Sequence, residues 1–290
     1  MAYIAEGLNL SNIDDTKPEE VDQYLLYVLR SARKRGLTYW LTAETVMFDH
    51  RPDFGKIQRM GADVFGRGSA ERVLVQSIRV LPLYIQIGWE TGIYNEFRQL
   101  QESGLTKAQL MEIVMFAQIS GGIRALQHVY NAVGRHLPDF RDGPQPAPFP
   151  AGWAADPDAF ECGLDLSTAQ LTAQDRANLT SWYEGTIGYV PPAVTFAIAH
   201  RPAFLKVERA KWEACFQTLP KQVAPYIMLA QNTLRGFQDG IREAALLGKA
   251  WGLTPEWIVE SVTGTAYYFT GLDGLAAAER ALGSLLQEWH

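Results

Sequence analysis

Glu90, Tyr94 and Arg98 recur every four residues, so on one helix they share a face. A carboxylate, a phenol and a guanidinium on one face can hold an anionic substrate and move a proton. Glu96 falls on another face of the same segment, where it is a candidate general base. His128 is the other well-placed proton carrier. A second run, Arg235, Asp239 and Glu243, has the same four-residue spacing and reads as a solvated charge ladder worth only tenths of a kcal/mol. His50 and His200 each precede Arg-Pro and belong to equivalent turns. No pair among His50, His128, His136, His200 and His290 has zinc-like spacing beside a carboxylate, so no metal site is expected. There is no Gly-x-Gly-x-x-Gly, no phosphate loop and no nucleophile elbow, so no cofactor is expected either.

The elements that position these groups belong to a chain of 290 residues, 47% hydrophobic and 20% charged, the composition of a globular protein. A net charge of −6 argues against a nucleic-acid partner, because binding phosphates takes clustered Lys and Arg. The longest uncharged run, Gly185 to Ala199, is 15 residues and holds Pro191-Pro192, so no membrane span is expected. The first residues, MAYIAEGLNLSNIDD, lack the basic start and apolar core of a signal peptide, and a cytoplasmic location is the expectation. Two cysteines, Cys162 and Cys215, make no disulfide framework.

The chain reads as two copies of one unit. HRPDFGKIQR from His50 and HRPAFLKVER from His200 agree at six of ten positions, at an offset of 150. The same offset pairs Ser31 with Ser181 and Tyr39 with Tyr189. Gly92-Ile93 answers Gly240-Ile241, Gly104-Leu105-Thr106 answers Gly252-Leu253-Thr254, and Ala132-Val133-Gly134 answers Ala281-Leu282-Gly283. The first unit covers residues 1–136 and the second 164–290. Between them, residues 137–163 hold six prolines, which makes an extended connector, and Phe149, Trp153 and Phe160 suggest that it packs on a surface. Each unit is helical, with five or six helices. Pro18 opens one that runs to Arg35, while Thr106 and Thr254 stand as N-caps before apolar-periodic runs. Leu83 to Trp89 alternates like a strand but has no partner strand, so the fold class is all-α.

The repeated His-Arg-Pro turn, a long helix, then Gly-Leu-Thr opening another, resembles the alkylhydroperoxidase D-like and carboxymuconolactone decarboxylase superfamily. The resemblance implies two tandem AhpD-like helical-bundle repeats and an oligomer, often of three or six chains. It also locates the family's functional positions. Where the peroxidase branch has Cys-x-x-Cys-x-x-x-His, this chain has Trp89, Gly92 and Glu96 in the first unit, with Ser77 at the upstream acid. In the second unit those positions hold Phe237, Gly240, Ala244 and Pro225. The decarboxylase branch's Glu, four residues before the histidine, falls on Gly92 and Gly240. No thiol peroxidase chemistry is expected, since it needs a nucleophilic thiolate and a resolving partner.

These observations point to a cofactor-independent enzyme of decarboxylase, lyase or isomerase type, with Glu96, Glu90, Arg98 and His128 as its catalytic set. Its substrate is a small carbonyl or lactone acid, apolar or aromatic, and the first unit is the competent one. The alternative is a non-catalytic tandem that binds a hydrophobic ligand or serves in assembly.

Overall fold

The computed structural model describes residues 69–142 and 145–289, together with Val46, Met47, His50, Arg51, Phe54, Gly55 and Gln58. The helix expected from Pro18 to Arg35 lies outside the described residues, as do Ser31, Tyr39 and Trp40. The described chain is all-α, with one isolated bridge between Ala155 and Pro220. Among the described residues no helix is long and apolar enough to cross a membrane.

Helix α1, Ala70–Ile87, starts where the Ser69 side chain accepts the Arg72 amide. It takes in Leu83 to Ile87 of the strand-like string, of which Leu83 and Ile85 are core positions of a helix, while Trp89 stands at the start of the next helix. Gly88 ends it with φ 74°, a conformation that costs a side-chain-bearing residue about 1 kcal/mol or more. Helix α2, Glu90–Glu102, follows at once. Helix α3, Lys107–Val133, opens on a reciprocal cap: Thr106 accepts the Gln109 amide, and the Gln109 side chain accepts the Thr106 amide. Gly122, with φ 67° and ψ −166°, kinks α3 in a region open almost only to glycine.

The second half holds α4 (Ala173–Ile187), α5 (Pro192–His200), α6 (Pro202–Cys215), α7 (Val223–Arg235), α8 (Gln238–Ala250) and α9 (Pro255–Thr265). A π-helical turn, Ala266–Thr270, then leads into α10, Gly271–Gln287. That is seven helices where the pattern gave five or six. The surplus arises because Pro202 restarts the chain after His200, and because Gly271, at φ 59° and ψ −148°, breaks the final helix. Several turns recur at fixed offset. Gly236 ends α7 at φ 64° as Gly88 ends α1, 148 residues earlier. Thr254 caps α9 through its side chain as Thr106 caps α3. The break at Gly271 stands 149 residues after that at Gly122.

Both halves share one core. Helix α1 packs on α2, α3, α7 and α9, and α7 carries α8 and α9 on its other sides. Phe116 of α3 meets Phe216 with ring centroids 4.9 Å apart. The buried Glu112 carboxylate accepts the Thr218 amide and hydroxyl and the Leu219 amide, at 2.7–2.9 Å, and so ties α3 to the loop after α6. The connector is docked, as its aromatics suggested. Phe160 is fully buried, stacked on Phe216 at 5.1 Å and flanked by Trp212 and Trp251. Trp153 packs against Tyr226 and Trp257.

Lys206, one of the residues shared by the two His-Arg-Pro strings, is buried against Asp175 at 2.8 Å and also donates to the Gln170 carbonyl. Burial opposes ionisation of Asp175, but Lys206 and the Asp165 and Thr172 amides overcome it and hold the carboxyl well below the usual range. The pair fixes the start of α4 on α6.

Candidate active site

The four residues expected to act together in the first half do not share either cavity formed by the described residues, although Glu90 and His128 both lie where the start of α2 meets the end of α3. Glu90, at the start of α2, is exposed and accepts from Asn131 at 2.7 Å. Glu96 accepts from its neighbour Asn95 at 3.2 Å. His128 lies against Gly88, its Nε2 accepting from Arg124 and its Nδ1 buried without a partner. Arg98 donates to Gln101 and stands 3.9 Å from Glu102. Arg98 and Tyr94, on one helix face, line one cavity among the described residues, a recess of about 150 Å³ closed by Phe97, Val133, His136 and Phe140. The four-residue spacing thus places Tyr94 and Arg98 together correctly, while Glu90 turns to Asn131 and α3.

The charge ladder of the second half does not form. Arg235 reaches back to the Ser120 carbonyl at 2.7 Å, and Asp239 is exposed. Glu243 instead points inward. On α8 it stands beside the stripe that buries Gly240, Ala244 and Leu247, and it faces a cavity of about 210 Å³. The walls are Ile119 from α3, Trp182, Tyr183 and Ile187 from α4, Leu205, Arg209 and Trp212 from α6, and Met228 and Leu247 from α7 and α8.

Three charged residues line the space: Glu243, Arg209 and Glu208, of which Glu208 is paired with Lys211 at 2.6 Å. Burial pushes the Glu243 carboxyl up from 4.5 to about 7, against the pull of the Arg209 guanidinium. Among the described residues no hydrogen bond or ion pair holds this carboxyl. Arg209 is buried and held on several sides. Its Nε donates to Glu213 at 2.9 Å and its Nη2 to the Phe160 carbonyl at 2.5 Å. Its plane lies 3.9 Å from the Trp182 ring and 4.6 Å from Trp212, within cation–π range of both. Burial also raises the Tyr183 phenol to about 12, so it stays a neutral donor at the wall. A carboxyl able to gain or lose a proton near neutral pH, a fixed cation shared with Glu213 and largely apolar walls are groups that can hold a small acid and move a proton.

A cavity of about 150 Å³ holds one benzene ring, so about 210 Å³ is room for a single ring with one small substituent. Among the described residues no three His, Cys, Asp or Glu side chains gather closely enough to hold a metal ion. Compared with protein-family models, curated proteins and solved structures, the chain gives no match. The site therefore rests on its own geometry.

Both thiols are protonated at neutral pH. Burial raises Cys162 and Cys215 to about 12 each, and Cys215 donates to the Glu112 carbonyl. Signals for the residues of the Glu243 cavity were present in the chain. Arg209 is the last residue of the repeated string HRPAFLKVER, and Glu243 follows Gly240 by three and precedes Leu247 by four, which sets it on the apolar stripe. The equivalent position 148 residues earlier is Asn95, so the first half has no acid there.

Proposed function

We propose that the chain is a cofactor-independent proton-transfer enzyme of isomerase or lyase type, acting on a single-ring carbonyl or lactone acid in the Glu243 cavity. The observation that carries this is Glu243 itself, a carboxyl titrating near 7 at an aromatic-walled cavity beside the buried Arg209. As carboxylate, Glu243 takes a proton from the carbon next to the carbonyl. The charge that develops on the carbonyl oxygen is stabilised by the field of Arg209 and by the Tyr183 hydroxyl. Glu243, now neutral, returns the same proton at the neighbouring position, so the reaction needs no external reductant or oxidant. Trp182 and Trp212 make much of the wall apolar, which strengthens each of these interactions.

The wider reading is that the chain holds two copies of an alkylhydroperoxidase D-like unit, of which the second carries the site. The glycine turns at Gly88 and Gly236, the caps at Thr106 and Thr254 and the breaks at Gly122 and Gly271 support it.

The test is a tryptophan-fluorescence titration with single-ring carbonyl and lactone acids, followed by NMR of the bound acids in deuterated water. Quenching with deuterium uptake at the carbon beside the carbonyl is expected, and Glu243→Gln should keep the quenching and lose the uptake. Quenching without uptake in the wild type would leave a ligand-binding protein in place of the enzyme. An absence of quenching across the panel would remove the substrate class.

A further inference from the structure

Away from that cavity, the interface of α1, α7 and α9 buries a charge without a counter-ion among the described residues. Arg79 of α1 is 1% exposed. Its Nη1 donates to the Glu260 carbonyl at 2.8 Å. Neither Nε nor Nη2 has a hydrogen-bond acceptor. Those two atoms form the edge of the guanidinium whose N–H bonds run parallel, the edge that grips an anion in two-point fashion. The Glu260 carboxylate feels this charge but is engaged by Arg72 at 3.4 Å. Tyr226 of α7 is fully buried, and its hydroxyl lies within reach of the Arg79 guanidinium but makes no well-formed hydrogen bond. Burial raises that phenol well above its usual value while Arg79 lowers it, so Tyr226 is a neutral donor under the influence of the guanidinium.

The backbone is shaped for this side chain. A Cβ on Gly264 would collide with Nη1, Cζ and Nη2 of Arg79, so the guanidinium lies in the notch that the missing side chain leaves on α9. A buried cation with a free two-point edge, next to a buried hydroxyl without a well-formed hydrogen bond, is heavily disfavoured unless an acceptor of negative charge completes it. We propose that Arg79 and Tyr226 hold a small monovalent anion of chloride type between α1, α7 and α9, as a structural ligand joining the two halves of the chain. Three N–H and O–H donors suit a spherical halide, which makes no demand of its own for a donor. A water molecule would supply an acceptor but leave the charge of Arg79 unbalanced.

The experiment is thermal unfolding of the full chain in sodium chloride, sodium bromide and sodium gluconate at equal ionic strength, with crystals grown in bromide. Expected are a melting temperature that rises and saturates with chloride or bromide, a flat response to gluconate, and an anomalous bromide peak beside Nε and Nη2 of Arg79. Tyr226→Phe removes one donor and keeps the ring, so the half-saturating halide concentration should rise by about tenfold. Arg79→Met should abolish the halide dependence. Should Arg79→Met fail to fold, the bromide map and the Tyr226→Phe titration still decide. Equal melting in all three salts, or a bromide map without a peak at Arg79, overturns the proposal and leaves water as the partner.

Discussion

Replacing Glu243 by Gln keeps the shape of the side chain and removes its ability to ionise. In the wild type, a carboxyl that titrates at 4.5 when unfolded and at about 7 when folded binds its proton more tightly in the native state. Between those two pH values the folded protein therefore holds more protons than the unfolded chain, and stability contributed by this group declines as pH rises. Moving a carboxyl over that range corresponds to about 3 kcal/mol. Below pH 4.5 the group is neutral in both states, so Glu243→Gln and wild type should differ by a constant. Above pH 7 the wild type carries the full cost of burying a carboxylate, and the variant should gain about 3 kcal/mol relative to it. Urea denaturation of both proteins at half-unit steps from pH 4.5 to 8.5 measures this difference directly. A difference that stays flat across the range would mean that Glu243 is solvated, and it would remove both the inward placement and the proton-transfer role. A difference of the opposite sign would mean that Arg209 pairs with the carboxylate strongly enough to outweigh burial.

Glu96→Ala should leave ligand quenching and any deuterium uptake unchanged, because Glu96 does not line the Glu243 cavity; loss of either would return the site to the first half. Lys206→Met strands the Asp175 carboxylate in the interior and should cost about 3–5 kcal/mol in chemical denaturation, whereas a change under 1 kcal/mol would show that water reaches the pair. Because the Asp175 carboxyl is held below its usual range, its contribution is present above about pH 4 and lost as the pH falls further, so acid titration of wild type should show a stability loss that Asp175→Asn lacks. Gly88→Ala should destabilise more than Gly236→Ala: both sites have positive φ, but only at Gly88 would the added methyl run into the His128 ring, so equal melting temperatures would refute that contact.

The sequence alone determined the features that depend on local chemistry and on order along the chain. Thr106 and Thr254 cap helices because a hydroxyl at that position satisfies an amide with no intrahelical partner, and this requires nothing distant. Proline content alone kept α-helix out of the connector, which holds one short 3-10 turn at Pro157–Phe160, and its aromatics indicated that it packs on a surface. The tertiary structure decided what those local rules leave open. A spacing of four residues places Glu90, Tyr94 and Arg98 on one side of α2, yet which neighbours lie on that side depends on how α3 crosses it, and α3 takes Glu90 away from the other two. Likewise Arg235, Asp239 and Glu243 have ideal ladder spacing, but Gly236 ends a helix between the first and the others, so they never share one cylinder. Glu243 acquires its shifted titration only because Ile119 of α3 and the tryptophans of α4 and α6 arrive from 31 to 124 residues away and displace water from it. Burial is a property of the assembled surfaces, and spacing along one helix does not determine it.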